Sequence, residues 1–406
     1  MTTSSVRLVF ALAATAAMAL AQDGLRGIVR TIDGRTLIGS LVVVDGRATA
    51  TTATGPVVLE VAEITAFDHA DAVAAVVATP NHVWLRSGQE LPATGLGGTP
   101  AADGKPAMLR IETPGGLVLD VPLSTVRALR QGGRERPEPA LFGADLRQPP
   151  TSEDLIYVLK DGKAQRSAVT VSSLASERID FLLRGSAFHF ELSGLAAVVF
   201  GSTTGFAPDR QPKPRTRVLL TTGEQIEGRL LAVSATIVQC RLDEGAVIDV
   251  PTARVLSLQV ASDRLAWLSE MKPKAEQTPA FDRTWPWTVD RSPVGPGLVL
   301  GGQPFARGIC MVPRTRLTYD LGGRFDVFEA TIGIDDRGGP EAHALFRVLV
   351  DGQAVFESQP RTRGQVPETL RIELKKAKTL AIEADFGKNY DLGDYCVFAD
   401  ARVIQQ

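Results

Sequence analysis

The sequence predicts an all-β protein in which tandem small β-barrel-like repeats precede a C-terminal sandwich. Three observations predict it. Apolar and polar residues alternate in short runs, the period of a strand with one buried face. Turn residues punctuate these runs, in line with 38 glycines and 25 prolines among 406 residues. Helical periodicity is hard to find beyond the N-terminus and one short piece near Leu265.

At the N-terminus, Arg7 supplies a positive charge. Leu8 to Leu20 is an apolar run too short to span a membrane, and Ala19-Leu20-Ala21 is a small-x-small cleavage site before Gln22. Residues 1–21 therefore read as a cleavable signal peptide, which predicts a secreted, periplasmic or cell-envelope protein. No other stretch reaches the roughly 18 apolar residues of a membrane helix, so no membrane span is expected. The formal net charge of -2 gives no basis for binding nucleic acid.

An internal repeat follows. Its units open with a short strand and a Gly turn. The openings are Ile28 to Leu37, Val83 to Leu91, Ile156 to Ala164 and Val218 to Ile226. The turns are Asp33-Gly34, Ser87-Gly88, Asp161-Gly162 and Thr222-Gly223, which are hairpin signals. The units close with alternating runs that begin at Pro56, Gly116, Ala187 and Ala246. Val121-Pro122 and Val250-Pro251 mark strand ends or edges, because proline has no N–H for a ladder. The short Leu/Ser/Thr/Ala piece after these Val-Pro pairs is expected to be a single 3₁₀ turn before a last strand. About 45 residues with four or five short strands resembles a small SH3- or Sm-like barrel, and a unit of this size is marginal alone. Two such repeats are expected in 22–131 and two in 155–262, sharing sheets or packing in pairs, with one or two larger sandwiches as the alternative.

The stretches between are rich in proline, glycine and charge. A linker is predicted at 132–154, and Gly201 to Thr216 is similar. Residues 263–297 are predicted to hold a short helix, from the N-cap Asp263 and the pattern Leu265-Ala-Trp-Leu, and then a proline-rich linker. Trp285 and Trp287 in that linker either pack it against the next domain or form a sugar platform; packing is the commoner role.

From Leu298 onward the strand pattern is densest. Leu317, Tyr319 and Leu321 alternate with polar residues, and Gly322-Gly323 breaks the run. Phe325, Val327, Glu329, Thr331 and Gly333 form one face of the next run and Asp326, Phe328, Ala330, Ile332 and Ile334 the other; apolar residues on both faces suggest a strand covered on both sides. Ala344, Phe346, Val348 and Val350 continue to a hairpin turn at Asp351-Gly352. The pieces GGQPFARGI, RTRLTYDLGGRFDVFEATIGIDDR, FRVLVDGQAVFES, KTLAIEADFG and FADARVI together resemble the NPCBM module, a carbohydrate-binding-type domain found beside family 98 glycoside hydrolases. The resemblance implies a galactose-binding-like jelly-roll sandwich over 298–406 and a glycan ligand. Where the family carries His, Asp and Trp, this chain has Val312, Val397 and Phe398.

The two departures from the family pattern contain Cys310 and Cys396. This suggests that they are neighbours, joined by a disulfide or else two separate buried thiols. A bridge closing so long a loop would stabilise by about 4 kcal/mol in the chain-entropy model. Among the residues left for sugar binding within the resemblance, Arg314, Asp394 and Tyr395 are the best placed; a phenol both stacks on a sugar face and donates a hydrogen bond. The acidic pairs Asp335-Asp336 and Asp391/Asp394 are open to three readings: a solvated turn, a structural calcium site, or the two carboxylates of a glycosidase.

The search for chemistry finds no phosphate-binding loop, no His-Glu-x-x-His and no nucleophile elbow. His69, His82, His189 and His343 are scattered among different units, as structural or surface residues would be. The sequence thus predicts a non-catalytic exported protein that binds a glycan. The alternative is a structural or protein-interaction protein of the cell envelope, with a glycoside hydrolase as a minor reading. No catalytic residue, metal or cofactor is assigned, beyond a possible structural calcium.

Overall fold

The computed structural model describes residues 24–75, 77, 81–132, 141–161, 163–175, 178–202, 212–278, 285–388, 390–391 and 393–406. The predicted signal peptide, Gly162 and parts of three predicted linkers lie outside these residues. The chain forms two compact units. One is built mainly on residues 38–259. The other is built mainly on residues 260–406 and also takes in Val29–Leu37 and Glu60–Ala66.

The repeats are β throughout. In the fourth, the strands are Arg215–Leu220, Gln225–Val233, Ile237–Leu242, Val247–Pro251 and Val255–Ala261, with the 3₁₀ turn Thr252–Arg254 before the last. Neighbours run fourth-third-second-first-fifth, so the last strand returns to pair with the first. The first repeat (Leu25–Thr31, Thr36–Val44, Arg47–Thr52, Gly55–Glu60 and Ile64–His69) and the third (Asp154–Lys160, Lys163–Leu174, Arg178–Leu183, Ser186–Glu191 and Leu195–Val199) follow the same order. In the second repeat the second strand is broken into Glu90–Ala93 and Gly95–Thr99. The 3₁₀ turn expected after the two Val-Pro pairs is formed at Leu123–Thr125 and Thr252–Arg254, and the structure adds equivalent turns at Val61–Glu63 and Leu192–Gly194.

Sheet sharing is nested rather than sequential. Repeats one and four form one ten-stranded sheet through their fifth strands, and their second strands also pair, Ala232 with Val44 and Val233 with Val43. Repeats two and three form the eight-stranded sheet in the same manner, with Leu129 opposite Val198. The expected pairing within 22–131 and within 155–262 is therefore corrected. Two equivalent last strands leave their outer ladders open, and joining them satisfies both edges at once. The predicted linker 132–154 holds a helical turn, Phe142–Arg147, whose Phe142 packs on Trp84 and Tyr157.

In the second unit, two antiparallel sheets face each other. One orders Thr288–Val289, Gly308–Met311, Cys396–Ile404, Val327–Ile334 and Glu368–Glu373. The other orders Lys274–Gln277, Thr315–Asp320, Thr379–Phe386, His343–Val350 and Gln353–Glu357. Leu317, Tyr319, Phe328, Ile332, Phe346, Ile382 and Phe398 fill the core between them. The alternation read at Phe328 to Ile334 is the inward face of its strand.

The sandwich begins well before Leu298. Leu265–Trp267 is a strand paired with the end of Cys396–Ile404, and only Leu268–Glu270 makes a 3₁₀ turn. The helix expected there is not formed, because Leu265 and Trp267 alternate into a buried cluster with Ile32, Val327 and Ile404. Trp267 lies between two guanidinium groups, Arg307 at 5.1 Å and Arg402 at 5.3 Å from its ring. Lys274–Gln277, inside the expected linker, is likewise a strand of the sandwich.

Candidate functional site

One end of the sandwich gathers most of the residues singled out in the sequence. Strand registers fix this. Gln277 is opposite Thr315, Thr315 opposite Ala384, and Ala344 opposite Phe386. Arg314, Phe386 and His343 therefore lie together at the same edge of one sheet. On the other sheet Ile334 and Met311 both face Cys396, so the Asp335 turn and the segment before Cys396 share that end.

Arg314 sits in the left-handed backbone region at φ 63°. Its N–H donates to the Ala384 carbonyl at 2.8 Å, and its carbonyl accepts from Thr278 N–H at 2.9 Å. These bonds hold the turn while its exposed guanidinium lies 5.6 Å from the centre of the Phe386 ring. Phe386 in turn meets Tyr390 edge-on at 5.8 Å, and Tyr390 is exposed. Asp385, beside Arg314, pairs with Arg347 at 2.7 Å. Burial pushes its carboxyl up, but the Arg347 guanidinium and the Phe386 N–H more than reverse this and hold it below its usual range.

Asp394 is 1% exposed. Its Oδ1 accepts from the His343 backbone N–H at 2.8 Å, and its Oδ2 has no partner among the described residues. Burial, with Asp391 adding negative charge, pushes its pKa up to about 6 against the His343 hydrogen bond. His343 is a clasp: its carbonyl accepts from Gly387 N–H at 3.0 Å and its Nδ1 from Lys388 N–H at 2.9 Å. Only glycine fits at 387, since a Cβ there would overlap the His343 ring and carbonyl.

Tyr395 points away from Asp394. It packs half-buried on the cluster of Leu298, Leu300, Cys310, Val397 and Ala399. Of the three predicted sugar-binding residues, the fold thus gathers Arg314 and Asp394 around His343 and Phe386 and turns Tyr395 to another face. Within the strand that follows, Cys396–Ile404, successive residues project to opposite sides.

The same alternation corrects the predicted disulfide. Cys310 is opposite Val397, and Cys396 is opposite Met311. The cysteines are on neighbouring strands, as expected, but one residue out of step. Cys310 faces the Leu298 cluster and Cys396 the sandwich core. Both are free, buried thiols, as is Cys240.

The Asp335-Asp336 pair is a clasp of the turn reading. Asp335 Oδ1 accepts from Arg337 N at 3.0 Å and Nε at 2.7 Å; its Oδ2 accepts from Arg337 Nη2 at 2.8 Å and Val299 N at 3.1 Å. Asp336 accepts from Gly301 and Gly302 N–H at 2.9 and 2.7 Å. Carboxylates already occupied by N–H donors are poor cation ligands. Among the described residues, no three His, Cys, Asp or Glu side chains are grouped to hold a metal ion.

Trp287 packs against the sandwich core, as expected. Trp285 does not: it is 50% exposed, and its carbonyl accepts from Gln277 Nε2, which also donates to Thr315 Oγ1. This tie brings an exposed indole to the Arg314 end. A Trp in a proline-rich stretch carries no sequence signal for that; the platform role weighed for it was the only hint. The other histidines are held locally or exposed: His69 Nδ1 meets the Val255 carbonyl at 2.9 Å, His82 stacks on Trp84, and His189 is on an exposed strand.

Residues 264–404 match the family described as the NPCBM/NEW2 domain, and the second unit carries an NPCBM domain over that span. A Renibacterium salmoninarum protein named a putative endo-alpha-N-acetylgalactosaminidase is 30% identical over 122 residues, 26% of this chain and 8% of that relative's length. The CBM51 module from a Clostridium perfringens family 95 enzyme, solved with methyl-galactose, is 24% identical and covers 34% of this chain and 99% of its own, with a TM-score of 0.31. The tandem CBM51 modules of a Streptococcus pneumoniae family 98 glycoside hydrolase are 13% identical over 76% of this chain and 88% of theirs, with a TM-score of 0.32.

Among the described residues no helix is long and apolar enough to cross a membrane.

Proposed function

We propose that the C-terminal sandwich is a glycan-binding module and that the chain is an exported, non-catalytic protein that uses it. The observation that carries this reading is the exposed Tyr390 and Arg314, which both lie against Phe386 at one end of the NPCBM domain, with the exposed Trp285 tied through its carbonyl to Gln277 at that end. Aromatic faces stack on the C–H face of a pyranose, and a guanidinium donates to ring hydroxyls. A glycan array probed with the full chain tests the reading. Binding that falls at least tenfold in Arg314→Ala and Tyr390→Ala supports it, and a folded chain that binds nothing on the array removes it.

A second reading has its own support. Val312, Val397 and Phe398, which stand where the family carries polar or aromatic site residues, are buried. On this reading the module is a protein-interaction element of the cell envelope. Cross-linking in the native envelope separates the two, because only the second requires a protein cross-linked through this end of the sandwich.

A further inference from the structure

We propose that the strand Ser186–Glu191 is a self-association edge, pairing antiparallel with the same strand of a second copy. Four observations carry this. The fourth strand of each repeat ends a sheet: Gly55–Glu60 and Val247–Pro251 close the ten-stranded sheet, Val118–Pro122 the three-stranded sheet of repeat two, and Ser186–Glu191 the eight-stranded sheet. Three of these edges carry a proline, Pro56, Pro122 or Pro251, which removes a ladder donor and blunts the edge. The fourth, SAFHFE, has neither proline nor lysine. It pairs with Arg178–Leu183 in an unbroken register, and among the described residues no strand covers its outer side.

Second, its two phenylalanines share the face of the buried Ile179 and Phe181 yet stay exposed, where their counterparts in other repeats are core. Counting back from the 3₁₀ turn, Phe190 matches Val250, Val121 and Leu59, which are 0–3% exposed, yet Phe190 is 39% exposed. Phe188 matches Ile248 and Leu119, which are buried, and Val57, which is half-buried, yet it is 48% exposed. Both rings lie nearly parallel to that of the buried Phe181, at 6.2 and 5.9 Å. Third, a two-fold axis perpendicular to the sheet at His189 sets Phe188 opposite the copy's Phe190 twice over. It keeps all four rings on one face, because cross-strand partners share a face. Fourth, the chain already builds this same sheet by antiparallel pairing of equivalent strands, Val126–Arg130 with Leu195–Val199. Pairing at Ser186–Glu191 continues that sheet into a second copy. Six residues a side is a small contact, so the association is weak and reversible.

Sedimentation velocity of the full chain from about 1 μM to about 500 μM reads it, a range suited to small interfaces. A monomer–dimer equilibrium that Phe188→Lys or Phe190→Lys weakens by roughly tenfold or more is expected. Hydrogen exchange on the wild type guards against a misfolded variant, since amides 186–191 gain protection as concentration rises. A wild type that stays monomeric throughout overturns the proposal, whether its edge is bare or taken by an extended peptide of another protein. So does a dimer that both lysine variants leave unchanged.

Discussion

Asp394 accepts a hydrogen bond from the backbone of His343 with one carboxylate oxygen and leaves the other buried and unpartnered. An acid held this way is easier to bury neutral than charged. Its pKa, raised to about 6 from 3.8, fixes the sign. The stability linked to it is fully present below about pH 4 and is lost as pH rises through about 6. Thermal melts of the wild type should therefore show the module gaining about 1–2 kcal/mol between pH 8 and pH 5. Asp394→Asn, which keeps the carbonyl acceptor for His343, should flatten that dependence.

The loop that carries Asp394 hangs on Gly387. A Cβ at that position meets the His343 ring and carbonyl with no room to shift. Gly387→Ala should destabilise the sandwich by about 2–4 kcal/mol, the range of overpacked, strained sites. Denaturant unfolding followed by Trp fluorescence measures it, and the same variant should bind glycan more weakly.

Cys310 and Cys396, back to back across neighbouring strands, give a count rather than a bridge. Ellman titration should find three thiols in the denatured, unreduced chain and almost none in the native one. Burial pushes Cys240 up to about 12 and the other two well above the usual thiol range, so native thiolate is scarce. A single titratable thiol would mean a disulfide.

Asp335 is fully buried and accepts four N–H donors. Asp335→Ala should cost about 3–5 kcal/mol by stranding the Arg337 charge and the Val299 amide. Calcium or a chelator should leave the wild-type melting temperature unchanged if this turn is held by its own donors.

Much of this was legible in the sequence because period-two patterns and Gly turns are local signals. The strand faces around Phe328 and the 3₁₀ turns after Val-Pro follow from them directly. What was not legible was long-range. Leu265 and Trp267 suit a helix face or a strand face equally well in so short a run, and the distant strand Cys396–Ile404 decided it. Repeats one and four meet across the two repeats between them, which no local pattern records. For the cysteines, neighbourhood was readable but register was not. One residue along a strand reverses the face.

The glycan-binding reading stands most directly on calorimetric titration of the full chain with the strongest glycan from an array. The account predicts saturable binding that drops about tenfold or more in each of Trp285→Ala and Tyr390→Ala, while their melting temperatures stay near wild type. Binding of equal strength in the wild type and in both folded variants would contradict it.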